Sequence, residues 1–370
     1  MGAAEALRLA HLMLLPAGVM AEHLFDGEAA RLLLLGNAMH ADVPIDAAGS
    51  GVMGYLLIMM AQDGGFPVPV GGAGQLAAAL VNRAQSAGAR IECGQAVEAI
   101  DVRGGRAVAV RTSGGARVDV RRAVIADTSA LRLFCDLLPA DVVPEAMTRS
   151  LSRFTWDTQV LKLNYALDAS IPWRSKSLSG AGTVHVGADH DGLIRWMADL
   201  NTATIPLHPF ALVGQMTTAD PSRSPSGTES AWAYTHLPRG MSDDASAEQL
   251  AVAVDLMLEK HAPGFTDHVI GKSIQRPSDL EATNANLHAC AVNGGTSQLF
   301  QQLIFRPVPG LGRAETPVQN VYLGRAGASP GGGVHGVCGR NAARAALAAD
   351  GARGWPRRRL SRAVLSLATR

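Results

Sequence analysis

Val321-Tyr-Leu-Gly324-Arg325-Ala326-Gly327-Ala-Ser-Pro330-Gly331-Gly332-Gly333-Val334-His335-Gly336, running on as Val337-Cys-Gly339-Arg-Asn341-Ala-Ala-Arg-Ala-Ala-Leu347, is the stretch whose reading decides the fold. A short apolar strand enters a glycine-rich turn and then an alanine-rich helix. Backbone amides and the positive end of a helix dipole therefore face one small space, a place suited to an electron-rich ligand. Three consecutive glycines allow positive φ and close approach of the backbone to a flat molecule. A glycine run taken alone is equally a tight strand-to-helix connector.

The wording is more particular than that. The segment resembles the C-terminal flavin-binding signature of the phytoene desaturase-like FAD-dependent oxidoreductases, the group that includes carotenoid desaturases and the pyridine nucleotide-disulphide oxidoreductase domain-containing 2 type. Gly324, Gly327, Pro330 to Val334, Gly339, Asn341 and Ala342 stand at matching positions. Three further landmarks follow the family's order: Pro69-Val-Gly71-Gly72-Ala-Gly74-Gln-Leu76, Asp220-Pro221-Ser222-Arg-Ser-Pro225-Ser-Gly227, and Arg306-Pro307. Val97 to Val110 is similar to the family's adenine-side hairpin.

The resemblance implies FAD as cofactor, held by Val97, Gly324, Arg325, Ala326, Pro330, Gly331, Gly332, Gly333, Val334, His335 and Asn341. It implies an α/β (α+β mixed) fold: an incomplete FAD/NAD(P)-binding Rossmann-like domain plus an antiparallel-sheet substrate domain with helices. The family opens with Gly-x-Gly-x-x-Gly between a first strand and helix, whereas Met1-Gly-Ala-Ala-Glu-Ala-Leu begins with a helical pattern. Either the start is misplaced or the chain is a truncation. The expectation is weak FAD retention by this chain alone and firm retention once a βαβ unit is supplied.

Gly72-Ala-Gly74-Gln-Leu-Ala77 imitates the missing fingerprint, with Glu92 about 20 residues on. Its preceding strand would be Phe66-Pro67-Val-Pro69-Val, and two prolines cannot supply the amides of a central strand. It is read as a turn and helix.

The 370 residues suffice for two domains and a substantial core. Hydrophobic residues make up 47% and charged residues 18%, while 33 Lys and Arg balance 32 Asp and Glu, so no field gathers nucleic acid. Four cysteines, 93, 135, 290 and 338, form no Cys-x-x-Cys pair, which excludes a redox-disulphide mechanism and a zinc ribbon and suits a cytoplasmic location. No apolar run reaches the ~20 residues of a membrane span. Leu12 to Ala21 reads as a core helix broken at Pro16.

The organisation reads as a helical segment over 1–65, part of a substrate-side cap; a flavin-domain part with a β-meander over 66–138; a substrate domain over 139–285; a C-terminal flavin-domain part over 286–350; and a basic tail over 351–370. Strands are predicted at Arg90–Cys93, Val97–Val102, Ala107–Arg111, Val118–Val120 and Val124–Ala126, with Gly104-Gly105 and Gly114-Gly115 as hairpin turns. Gln159–Tyr165 and Ala231–His236 alternate as strands of a half-buried antiparallel sheet with helices on one side. The tail, with Arg357, Arg358, Arg359, Arg362 and Arg370, suits peripheral contact with an anionic membrane or a solvated end.

No metal-ligand spacing, catalytic triad or paired carboxylate is assignable, and no catalytic residue is named. A flavoenzyme needs none, since the isoalloxazine ring accepts the hydride and the protein supplies position and electrostatics. His335 beside the loop either donates a hydrogen bond or points outward. Cys338 is read as an inert buried thiol. Two functions remain open: an FAD-dependent dehydrogenase, desaturase or isomerase acting on an apolar, isoprenoid or lipid-like molecule, with oxygen, quinone or nicotinamide as redox partner; and a non-catalytic homologue serving as a binding or partner subunit.

Overall fold

The computed structural model describes residues 2–351, Gly354 and Pro356. The basic tail, Trp355 and residues 357–370, lies outside the described residues. In chain order the helices are α1 (Ala3–Leu14), α2 (Ala17–Leu24), α3 (Glu28–Ala38), α4 (Ser50–Asp63), α5 (Gly74–Ser86), α6 (Glu145–Leu151), α7 (His190–Asn201), α8 (Met216–Ala219), α9 (Asp244–His261), α10 (Pro277–Thr283) and α11 (Val337–Ala349). The strands are β1 (Val97–Arg103), β2 (Arg106–Thr112), β3 (Arg117–Asp119), β4 (Val124–Ala126), β5 (Val160–Leu167), β6 (Thr183–Val186), β7 (Ala211–Gln215), β8 (Glu229–His236), β9 (Val269–Gln275) and β10 (Val321–Leu323). Two compact units result: residues 1–91 with 158–283, and residues 92–157 with 284–370. Residues 66–91 thus lie in the first unit and 139–157 in the second.

The first unit is built on an antiparallel sheet of order β6-β7-β8-β5-β9. Alternation sends Leu161, Leu163, Tyr165, Ala231 and Ala233 to one face, where α9 covers them with Leu250, Val254 and Leu258. The other face carries Leu212, Trp232 and Tyr234, packed against a cluster from α2, α3 and α7 that includes Met20, Leu34 and Trp196. Helices on one side only is therefore corrected to helices on both, because these large side chains also require cover. Gly214 is the position that lets the Trp232 indole lie across β7, since any Cβ there would overlap the ring.

Two family-like landmarks meet in this unit. The Gly71 amide donates to Asp220 Oδ2 at 2.7 Å, and Asp220 Oδ1 accepts the Ser222 amide and hydroxyl at 3.1 and 2.7 Å. These bonds, Gly71's first, hold the carboxyl below its usual pKa. The Arg223 guanidinium lies against Gly72, whose φ of 100° excludes a side chain in any case. Phe66–Val70 form no strand, so Gly72 to Ala77 is a turn and helix, as the two prolines require. Proline also breaks the N-terminal run at Pro16, but α1 buries no residue and leaves Leu7, Leu9 and Leu14 exposed, so only α2 is a core helix.

In the second unit β1, β2 and β3 form the expected meander. Gly104 and Gly105, at φ 56° and 72°, turn the first hairpin. Arg90–Cys93 is not a strand: it alternates, but no described strand runs beside it to take its amides. β10 pairs in parallel with β4, Val321 opposite Val124 and Leu323 opposite Ala126, as two short apolar runs ending at one cleft demand. No helix among the described residues is long and apolar enough to cross a membrane.

A short loop after α3 staples the first unit's helices to its sheet. His40 Nε2 meets His185 Nε2 of β6 at 2.9 Å, and Asp42, at φ 54°, places Oδ1 2.7 Å from His236 Nε2 of β8. Burial, reinforced by His40, pushes His185 down to about 4, and burial also lowers His40 against the pull of Asp42. Unfolded histidine titrates near 6.5. The unfolded chain therefore binds more protons between that value and about 4, and the pair's contribution, complete above pH 6.5, is lost as pH falls through this window. Thermal midpoints measured between pH 8 and 4 should fall across it, and H185N should flatten that part of the profile; an unchanged profile in H185N would assign the slope to other groups.

Candidate functional site

Three pieces of the second unit stand beyond the C-terminal ends of β4 and β10: the glycine loop, the start of α11, and the loop Asn293-Gly-Gly-Thr296. The Gly324 amide continues the parallel ladder to Ala126 O at 2.9 Å. Arg325 reaches exposed Asp127 at 3.8 Å. Ala328 and Gly331 amides close successive turns on Arg325 O and Ala328 O. Gly331, Gly333 and Gly336 take φ of 108°, 137° and 63°, which side-chain-bearing residues rarely adopt.

One cation and one anion fix this arrangement. Arg306 is fully buried, yet its guanidinium spends its donors on five carbonyls: Ala326 at 2.8 Å, Thr296 at 2.9 Å, Gly294 at 3.0 Å, and Asn293 and Gly295 at 3.3 Å each. Asp157, 4% exposed, accepts the amides of Asn293 and Gly295, both at 2.7 Å. The loop 293–296 is thus gripped by its carbonyls on one side and its amides on the other. Burial draws the guanidinium below its ordinary pKa, while the charge of Asp157 opposes that. Planar donors in a fixed fork suit this role as an ammonium would not.

The grip joins the two loops. A Cβ on Gly332 would lie 2.7 Å from Asn293 O, and one on Gly331 3.3 Å from the Arg306 guanidinium. Gly332 is therefore glycine because a neighbouring backbone touches it. The expectation of positive φ is corrected for Gly332, since its φ is ordinary and Asn293 stands where a side chain would go.

Openings toward a ligand lie further along. His335 Nδ1 accepts the Val337 amide at 3.0 Å, which puts the neutral ring's proton on Nε2. The next two amides, Cys338 and Gly339, have no acceptor within the described residues. A Cβ on Gly339 would find only Gly324 O, at 3.8 Å, and one on Gly336 nothing within 4 Å. Val334 is 95% exposed, and Asn341 is exposed on α11. The Cys338 thiol is buried, donates toward Gly331 O at 3.4 Å, and is pushed up by burial. Val97 opens β1 opposite Thr112, within the meander. A separate cleft of about 430 Å³, lined by Arg106, Arg122, Asn320 and Asp350, opens at the other, N-terminal ends of β4 and β10.

In the first unit, residues that share the Trp232 face of the sheet include Lys162, opposite Tyr234, and Asn164, opposite Trp232. The Asn164 amide donates to Ser273 and Gln275 at 3.4 and 3.3 Å. Half-buried Lys162 is held below its ordinary pKa by burial. Lys162, Asp157 and the buried Asp42–His236 pair were not singled out from sequence. Lys162 had a signal, a lone cation within the apolar alternation Val160-Leu-Lys-Leu. No group of three or more His, Cys, Asp or Glu among the described residues is arranged to hold a metal.

The model of the "Flavin containing amine oxidoreductase" family matches residues 8–347. This chain belongs to that family. It is 28% identical over 254 residues to pyridine nucleotide-disulfide oxidoreductase domain-containing protein 2 of Rattus norvegicus, a match covering 65% of this chain and 43% of the relative, and 28% identical over 255 residues to its Mus musculus counterpart. The chain thus spans less than half the length of these relatives. Among solved structures, an oxidoreductase from Methanosarcina mazei aligns with TM-score 0.55 at 16% identity, covering 94% of this chain and 73% of the other. Putrescine oxidase bound to putrescine aligns at 0.57 and 15% identity, covering 91% and 68%. These likenesses concern the fold, a mixed α/β architecture with antiparallel sheets.

Arg306→Leu should destabilise the second unit by about 3–5 kcal/mol, the usual result of removing one partner of a buried ionic network. Urea denaturation followed by Trp156 fluorescence in a variant lacking other tryptophans is the measurement, and a loss below ~1 kcal/mol would mean the grip is dispensable.

Proposed function

We propose that the chain is an FAD-dependent oxidoreductase acting on an apolar, lipid-like substrate. The observation that carries this reading is the junction of glycine loop and α11: two first-turn amides lack acceptors, and Gly339 is glycine although its φ is ordinary and no protein atom crowds it. Glycine is a poorer helix former than alanine. An approaching ligand supplies a reason for that cost, and membership of the flavin family makes a flavin the ligand of choice. When bound, the flavin would accept a hydride from the substrate.

The protein's contribution is positional and electrostatic. Amides at the helix start favour negative charge on a ring edge. Arg306 and Asp157 hold the loop so that these donors need not reorganise. His335, its Nδ1 engaged with the Val337 amide, presents an Nε2 proton to solvent or ligand. In the first unit, half-buried Trp232 and Tyr234 would add apolar surface for a substrate, with Lys162 and Asn164 opposite them as polar groups.

Gly339→Leu tests the reading. Leucine is the better helix former, so the variant should unfold no earlier than the parent. Its side chain would occupy ligand space, at about 1–3 kcal/mol, so FAD affinity should fall on the order of ten- to a hundredfold. Equal FAD binding by parent and variant, in a titration of flavin fluorescence, would make the loop a mere connector.

A further inference from the structure

His40 and His185, which join the loop after α3 to β6, are placed as a pair of ligands as well as a staple. A glycine makes room for them. A Cβ on Gly36 of α3 would lie 2.6 Å from His185 Nδ1, so only a residue without a side chain lets that imidazole approach the helix so closely. The Phe210 ring, with its centroid 5.7 Å away, packs against the same imidazole. His40 follows Gly36 by four residues, on the same side of the helix one turn on, and brings its Nε2 to 2.9 Å from His185 Nε2. The two ring centroids are 5.1 Å apart, with the planes inclined at 66°. His185 is half-buried and His40 exposed, so the pair is open to water on the His40 side. Burial lowers the pKa of both rings, which favours the neutral form, the one in which an imidazole binds a metal ion.

The spacing selects the ion. Two nitrogens bound to one ion at ~2.0–2.1 Å stand about 3.3 Å apart at the tetrahedral angle that zinc prefers, and about 2.9 Å apart at the right angle between neighbouring positions of a tetragonal complex. The distance of 2.9 Å between the Nε2 atoms matches the second. We infer that His40 and His185 form a cis pair of imidazole ligands for a tetragonal divalent cation, Cu(II) or Ni(II), with water completing its coordination. A swing of exposed His40 turns its lone pair from the partner nitrogen onto the ion. The one ring proton that lies between the nitrogens passes through solvent to Nδ1 of the same ring, which frees both Nε2 atoms and leaves both rings neutral. Asp42, two residues on, is engaged with His236. No described group of three or more His, Cys, Asp or Glu converges to hold a metal, so two ligands come from the protein and the rest from solvent. An ion held by both rings would tie the loop after α3 to β6 and stabilise the first unit, because it binds the folded pair and not the separated residues. The site lies wholly within the first unit and requires no flavin.

Calorimetric titration of the full chain with Ni(II) near neutral pH tests the inference, joined by the electron paramagnetic resonance spectrum of the protein loaded with Cu(II). Exposed Cys93 and Cys135 are alkylated beforehand in every sample, so that their thiols do not take the metal. The parent should bind Ni(II) saturably, gain thermal midpoint with it, and show hyperfine splitting from two nitrogens with Cu(II). His40→Gln changes an exposed position and should keep the parent's circular dichroism spectrum. It should bind Ni(II) on the order of tenfold or more weakly, since a single imidazole cannot chelate, and its midpoint should no longer respond to the metal. His185→Gln should lose binding in the same way, whereas His23→Gln, exposed in the last turn of α2, should bind like the parent. No saturable binding by the parent, or equal affinity in His40→Gln, overturns the inference. Zn(II) held more tightly than Ni(II) overturns it too, because that order belongs to a tetrahedral site.

Discussion

A buried guanidinium with no carboxylate in direct contact is an expensive object, and the second unit is arranged around one. Arg306 has exchanged water for five backbone carbonyls, and Asp157 has exchanged it for the two amides that alternate with them. Both charges are satisfied by backbone dipoles of the loop 293–296, with Ala326 O adding one bond to Arg306 from the glycine loop. Deleting either strands the other's share of an already desolvated network. The loops at the C-terminal ends of β4 and β10 depend on that grip for the position of Asn293 against Gly332 and of Ala326 against Gly294.

Rigidity of this kind has a functional meaning at the start of α11. Amides help a ligand only if they already point at it, because reorienting dipoles on binding consumes the energy they would contribute. The loop reaches that state with little regular structure, through glycine conformations and side-chain bonds to backbone. The first unit uses other means to the same end. Its sheet is laid down by alternation, and its helices are fixed to one face by ionisable staples, His40 on His185 and Asp42 on His236. Acid should therefore loosen this unit through His40 and His185.

Much of this was legible in the residues. Alternation and glycine pairs located the meander; a short apolar run before glycine located β10; two prolines ruled out a strand at 66–70. What failed did so for want of partners that local sequence does not reveal. Arg90–Cys93 alternates like a strand but no described strand pairs with it, α1 is amphipathic but buries none of its residues, and Gly332 looks like a conformational glycine but is a contact glycine. The grip was half visible, as a lone arginine in Leu-Ile-Phe-Arg-Pro-Val, whereas Asp157 lies some 150 residues away and joins it only through tertiary structure. Buried Gln301 and exposed Leu303 illustrate the same limit, since hydropathy alone would bury the leucine and expose the glutamine.

The central claim is that the loop held by Arg306 and Asp157, with the first turn of α11, is the seat of a flavin. Amide hydrogen exchange of the full chain, with and without excess FAD, addresses it most directly. The account predicts slowed exchange at Cys338 and Gly339 and in the 331–336 loop, with little change at 293–296, where Asp157 already protects the amides of Asn293 and Gly295. Protection appearing instead at 71–77, or no change around 331–339 under saturating FAD, would contradict it.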